Sequence, residues 1–192
     1  MIISLTGFMG CGKSSVGKKL SALLSLPLID LDDYIEERER MTIPEIFASG
    51  GEEAFRQMEF TALSEIISAT DNIILSLGGG TVTASRCAEI VHRQTCCIYL
   101  RATTATLVQN LMAGGYSGRP LLNCTQSREN TPGYPETEEA HRIEEKTEAL
   151  MSRRSAIYES TAHHIVDIDG KTPGAIAYEI SRLQKTGKAI NG

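Results

Sequence analysis

Short apolar runs alternate along this chain with stretches whose apolar residues recur every three or four positions. Five of the runs read as strands: Ile2–Thr6, Pro27–Asp30, Asn72–Ser76, Thr95–Leu100 and His164–Ile168. The helical spacing predicts helices at Lys13–Leu24, Asp33–Arg40, Ile43–Gly50, Glu52–Ala69, Thr83–His92, Ala105–Met112, Glu138–Ser160 and Pro173–Lys185. Apolar strands joined by helices are the pattern of βα units stacked on a parallel sheet. One segment breaks the alternation. Ala113–Thr137 carries Gly114-Gly115, Gly118, Pro120, Pro132-Gly133 and Pro135 among polar residues, which predicts a lid or an insertion. With no repeat and no low-complexity tract, residues 1–192 read as a single domain, with the lid and insertion at about 113–137.

Composition narrows the classes. A length of 192 residues suits one domain with a sizeable core, and 41% hydrophobic with 22% charged residues is ordinary for a globular protein. The formal net charge of -5, with no long basic run, argues against nucleic acid as a partner. No stretch approaches the ~20 apolar residues that span a bilayer, so no membrane partner is expected. The first residues are read as a strand and not as a secretory leader, and the expected location is the cytoplasm. Five cysteines (Cys11, Cys87, Cys96, Cys97 and Cys124) form no C-x-x-C pair, against a zinc site or a disulfide framework. Cys96 and Cys97 read as core thiols. Cys11 is the one expected to be exposed, either as a small spacer or as a thiol activated by its neighbours.

The strongest chemical signal stands between the first strand and the first helix. Gly7-Phe-Met-Gly10-Cys11-Gly12-Lys13-Ser14 fits G-x-x-x-x-G-K-[ST] in full, with Ile2, Ile3 and Leu5 leading in and Val16, Leu20, Leu23 and Leu24 leading out. Backbone N–H groups at such a turn and the positive end of the helix face an anion. Lys13 places a cation on the outer phosphates, and the Ser14 hydroxyl is a ligand for Mg²⁺. A nucleoside triphosphate is the expected ligand.

Other chemistry-bearing residues are spread along the chain. The second strand ends in Asp30-Leu31-Asp32-Asp33, and period 2 predicts that Asp30 and Asp32 share a side, one for the metal and one for an acceptor hydroxyl. Capping of the next helix by Asp32 or Asp33 is the competing reading. Arg56 and Glu59 lie three apart on a predicted helix, and spacing alone favours a solvated surface pair. Gly78-Gly79-Gly80 comes directly after the third strand, leaving bare backbone where something packs closely. Arg119, in the lid candidate, and Arg153-Arg154, late in the long helix, are cations able to meet phosphate charge.

Together these residues resemble the shikimate kinase family over nearly the whole chain. Gly7–Ser14 is similar to its phosphate loop, Asp30-Leu-Asp32 to its Asp-x-Asp, Phe55-Arg56-x-x-Glu59 to its clamp and Gly78–Gly80 to its triple glycine. Arg119-Pro-Leu-Leu resembles its lid, and Arg154-Ser-Ala-Ile-Tyr158 its Arg-x-Pro-Leu-Tyr. The resemblance implies a three-layer α/β/α P-loop kinase fold with a five-stranded parallel sheet, phosphorylation of the shikimate 3-hydroxyl by ATP with Mg²⁺ as cofactor, and a monomer.

Carried over residue by residue, the resemblance implies that Gly10, Cys11, Gly12, Lys13, Ser14, Ser15, Arg119, Lys171 and Pro173 bind ATP. Ser14 and Asp30 hold the metal. Asp32, Phe47, Phe55, Arg56, Gly78, Gly79, Gly80 and Arg154 bind the acceptor, and Lys13, Asp32 and Arg119 are the catalytic set. This turns Arg56 from a surface ion into a carboxylate clamp. In a chain of net charge -5, Lys13, Arg56, Arg119 and Arg154 must then converge to attract two anions.

The sequence departs from the family in three places. Met112 stands where many relatives carry an arginine against adenine, Ala156 replaces a proline, and the excess length falls in Asn123–Glu139. The alternatives are another small-metabolite kinase of this fold, for gluconate or a nucleoside monophosphate, and a non-catalytic nucleotide-dependent interaction module. The paired Asp30/Asp32 and the triple glycine weigh against the other kinases.

Overall fold

The run Ile2–Thr6 becomes the middle of the molecule because both its faces can be buried, Ile3 and Leu5 on one and Ile2 with the small Ser4 and Thr6 on the other. Ile3, Ser4, Leu5 and Thr6 are all buried, as a strand covered by helices on both sides requires. The computed structural model describes residues 1–114 and 136–188. Its elements are β1 (Ile3–Thr6), α1 (Lys13–Leu24), β2 (Leu28–Asp30), α2 (Leu31–Glu39), α3 (Ile43–Ala69), β3 (Ile74–Ser76), α4 (Ser85–Gln94), β4 (Cys96–Arg101), α5 (Thr104–Gly114), α6 (Glu136–Thr161), β5 (His164–Asp167) and α7 (Pro173–Lys188). A 3₁₀ turn at Thr81–Thr83 joins β3 to α4.

The sheet has five strands in the order β2-β3-β1-β4-β5, and every pairing is parallel. On one side α1 packs against α7, while α4 and α6 pack together and against β4. The expected three-layer α/β/α architecture is therefore the observed one. β1 and β3 are neighbours, yet the chain leaving β1 returns at β2 and the chain leaving β3 returns at β4, on opposite sides of the pair. A crevice opens at such a reversal, beyond the C-terminal ends of the strands. Among the described residues, no helix is long and apolar enough to cross a membrane.

Three local features shape the rim of that crevice. The two helices expected on either side of residue 51 form one run, α3, broken at Gly51, where φ 71 and ψ −173 are backbone angles that a Cβ disfavours. Thr42 begins that run with a capping box, its side chain accepting from Glu45 N while the Glu45 carboxylate takes the Thr42 N–H at 2.7 Å. The helix after β2 begins at Leu31 and not at Asp33, because the Asp30 side chain accepts the Asp32 N–H at 3.2 Å and is itself the cap. Asp32 therefore lies in the first turn of α2, and the period-2 placement expected for it is corrected. Of the segment expected as lid and insertion, residues 115–135, with Arg119 and Cys124, lie outside the described residues. Glu136 already belongs to α6.

Candidate active site

The turns that leave β1, β2 and β3 meet over a cleft of about 680 Å³. Its walls include Gly10, Gly12, Lys13, Ser14 and Ser15 from the first turn, Asp30 and Asp32 from the second, and Gly78–Gly80 from the third. Phe47, Phe55, Arg56 and Glu59 from α3 close one side, and Asn110, Ala113 and Pro173 contribute further wall.

At the first turn, Lys13 Nζ donates to the carbonyl oxygens of Gly7 at 2.9 Å and Phe8 at 3.2 Å, which holds the ammonium on the loop's own backbone. Ser14 Oγ donates to Asp30 Oδ2 at 3.0 Å. A hydroxyl and a carboxylate form a hard, all-oxygen pair suited to Mg²⁺, which usually keeps several waters and substrate phosphates as its other ligands. Among the described residues, no group of three or more His, Cys, Asp or Glu could cage a cation without substrate. The Ser14–Asp30 oxygen pair fits a Mg²⁺ that takes its remaining ligands from water and phosphate.

Cys11 is not on the cleft wall. It is buried, and its N–H is spent on the Phe8 carbonyl at 3.2 Å. The exposure expected for this thiol is corrected: the loop turns its side chain inward, where Lys13 Nζ lies 3.8 Å from the sulfur.

Arg56 and Glu59 are not the solvated pair that spacing suggested. The Glu59 side chain is 1% exposed and accepts from Arg56 Nη1 at 2.6 Å. Burial of this kind is possible because of what lies across the gap: Thr81 donates its hydroxyl to Glu59 Oε1 at 2.6 Å, so each carboxylate oxygen has its own donor. Glu52 takes Nη2 from the other side at 3.2 Å, and the guanidinium lies 5.3 Å from the Phe55 ring centroid. The rings of Phe47 and Phe55 meet at 4.8 Å across the Gly51 break. Gly80 makes room for the arginine. A Cβ there would stand 2.5 Å from Nη2, closer than real Cβ contacts come.

Asp32 sits deep among other acids. Burial, then the charges of Asp30 and Glu59, push its carboxyl up from 3.8 to about 6, with Lys13 opposing. An aspartate so placed is better matched to accepting a proton near neutral pH than a solvated one.

From α6, Arg154 is buried while Arg153 is exposed. Arg154 Nη1 lies 3.4 Å from the Gly79 carbonyl, which also accepts from the Tyr158 hydroxyl. Arg154 itself stands behind the cleft wall that holds Lys13 and Arg56 and is not part of it. Lys171, expected at the nucleotide, instead pairs with Glu179 at 2.7 Å and is not on the cleft wall, although Pro173 is. Met112, at the position where many relatives carry an arginine against adenine, is 36% exposed and off the wall. Helical geometry explains this, since Asn110 and Ala113 are three apart on one face of α5 and residue 112 points elsewhere. Asn110 donates to the Gly10 carbonyl at 2.9 Å, a contact no local pattern announced. Thr81 was likewise missed, and its only signal was its place directly after three glycines.

A family model described as "Shikimate kinase" matches residues 9–184. A shikimate kinase of Dictyoglomus turgidum is 34% identical over 179 residues, covering 93% of this chain and 94% of the relative. One from Thermus thermophilus is 35% identical over 178 residues, covering 93% and 86%. Among solved structures, shikimate kinase from Acinetobacter baumannii in complex with shikimate superposes with a TM-score of 0.83 at 28% identity, covering 97% of this chain and 94% of that one. Shikimate kinase from Bacteroides thetaiotaomicron gives a TM-score of 0.80 at 29% identity and 98% coverage of both.

Proposed function

The chain belongs to the shikimate kinase family, and we propose that its cleft divides the family's reaction between a donor half at residues 10–15 and an acceptor half built on Arg56, Asp32 and Gly78–Gly80. The enzyme is an ATP-dependent kinase that moves the γ-phosphoryl group to the 3-hydroxyl of shikimate. The observation that supports the division is the Arg56–Glu59 pair, half-buried at the arginine and buried at the glutamate, whose N–H donors share a cleft with the phosphate loop.

Phosphoryl transfer has a loose transition state, so positioning and charge stabilisation supply most of the acceleration. Lys13 exchanges its hold on the Gly7 and Phe8 carbonyls for phosphate oxygens and neutralises charge as the bond to the leaving group lengthens. Ser14 and Asp30 would hold Mg²⁺, which when bound screens the phosphate oxygens. Arg56, braced by Glu59 and Glu52, meets the shikimate carboxylate with two parallel hydrogen bonds. Arg154, beside Gly79, adds a second cation at the acceptor end. Asp32 accepts a hydrogen bond from the hydroxyl that attacks and takes its proton as the new P–O bond forms. Arg119, which the family resemblance adds to the catalytic set, lies outside the described residues.

Measuring ADP formation with shikimate, gluconate and AMP as acceptors tests the assignment. Turnover is expected with shikimate alone. Turnover with either other acceptor would reassign the substrate, and turnover with none would contradict the enzyme reading.

A further inference from the structure

Glu59 and Arg56 hold each other through Oε2, but no group described on α3 engages Oε1 of Glu59. A glutamate carboxylate turns easily about its last torsion, and a rotated carboxylate would carry the guanidinium with it. The structure supplies the missing restraint from another element. Thr81 is fully buried, and its N–H donates to the Gly78 carbonyl at 3.2 Å, which closes the triple-glycine turn and aims the side chain back at α3. Its hydroxyl then reaches Glu59 Oε1 at 2.6 Å, leaving Oε2 to Arg56. The space is tight. A Cβ on Gly78 would lie 2.8 Å from Asp32 Oδ1, 3.0 Å from Thr81 Oγ1 and 3.2 Å from Glu59 Oε1, so three oxygens crowd around one point. Without the threonine proton, Glu59 Oε1 would face Asp32 with no donor and would turn away.

The geometry points to Thr81 as a positioning residue for acceptor recognition: its hydroxyl locks the Glu59 carboxylate, and Glu59 in turn sets the guanidinium of Arg56 in the orientation that captures a substrate carboxylate. Thr81 touches no substrate; it acts through two other side chains. The inference rests on the reading of Arg56 as the acceptor clamp.

Thr81→Val removes the hydroxyl at nearly constant volume. It is expected to raise the KM for shikimate about tenfold, the worth of one hydrogen bond to a charged group, with the KM for ATP within about twofold of the parent. Thr81→Ser, which restores the hydroxyl, is expected to recover the parent KM. Thr81→Ala makes the same deletion without a second methyl group and serves if the valine variant does not fold. The decisive comparison places Thr81→Val in an Arg56→Ala background, where it should add nothing further to the shikimate KM, because contacting groups in one chain of interactions are not additive. An unchanged shikimate KM in the single variant, equal rises for both substrates, failure of serine to rescue, or full additivity with Arg56→Ala would each overturn the role given to Thr81. A normal shikimate KM in Arg56→Ala alone would instead overturn the clamp and the inference with it.

Discussion

The guanidinium of Arg56 occupies the space that a side chain on Gly80 would fill, with Nη2 only 2.5 Å from where a Cβ would stand. An alanine at Gly80 would meet the far end of a flexible side chain, so the fold survives while the arginine moves. Gly80→Ala is therefore expected to raise the KM for shikimate by about ten- to a hundredfold, the range of one charge-assisted hydrogen bond, while Tm stays near that of the parent. A matching rise in the KM for ATP would mean that the glycine serves the phosphate loop instead.

Much of the site was legible in local sequence and the rest was not. Residues 7–15 could be read because strand, loop and helix are contiguous, so the motif carries its own context. Arg56 and Glu59 could be paired by spacing, but their burial depends on Thr81, which is 22 residues from Glu59 and on another element. Asp30 and Asp32 reach the cleft as expected by a different route, since Asp30 caps α2 and ends the strand geometry that period 2 assumes. The inward turn of Cys11 and the outward turn of Met112 are matters of loop and helix rotation that no residue pattern encodes.

The raised carboxyl of Asp32 has consequences of opposite sign for activity and stability. Its folded-state value of about 6 exceeds its ordinary 3.8, so the charged form is disfavoured by folding. The cost is absent below pH ~4, grows as pH rises towards 6 and is complete above it. Asp32→Asn is expected to be more stable than the parent by about 1–3 kcal/mol at pH 7.5, with the difference fading near pH 4. The parent should lose kcat/KM for shikimate about tenfold per pH unit below pH 6 as the base protonates. Asp32→Asn should fall at least about a hundredfold below the parent above pH 6, with the gap narrowing as pH falls and the parent's base protonates. Chemical denaturation and initial rates across pH check both halves.

Asp30 has two tasks that one substitution separates. Asparagine caps a helix about as well as aspartate but carries no charge for a metal. Asp30→Asn should therefore keep the parent Tm within a degree or two and raise the Mg²⁺ concentration for half-maximal activity by about tenfold or more. Titration of activity with Mg²⁺ at saturating ATP and shikimate reads this directly. An unchanged Mg²⁺ dependence would confine Asp30 to the cap.

The central claim is that Arg56 selects the acceptor by its carboxylate while the phosphate loop holds the donor independently. The most direct test is the pair of KM values, for shikimate and for ATP, in Arg56→Ala and Arg56→Lys. Removing the fork should raise the shikimate KM by about a hundredfold or more in the alanine variant. Lysine, which keeps the charge but loses the bidentate geometry, should fall between that value and the parent. The ATP KM should stay within about threefold of the parent in both. Equal rises for the two substrates, or no rise for shikimate, would contradict the account.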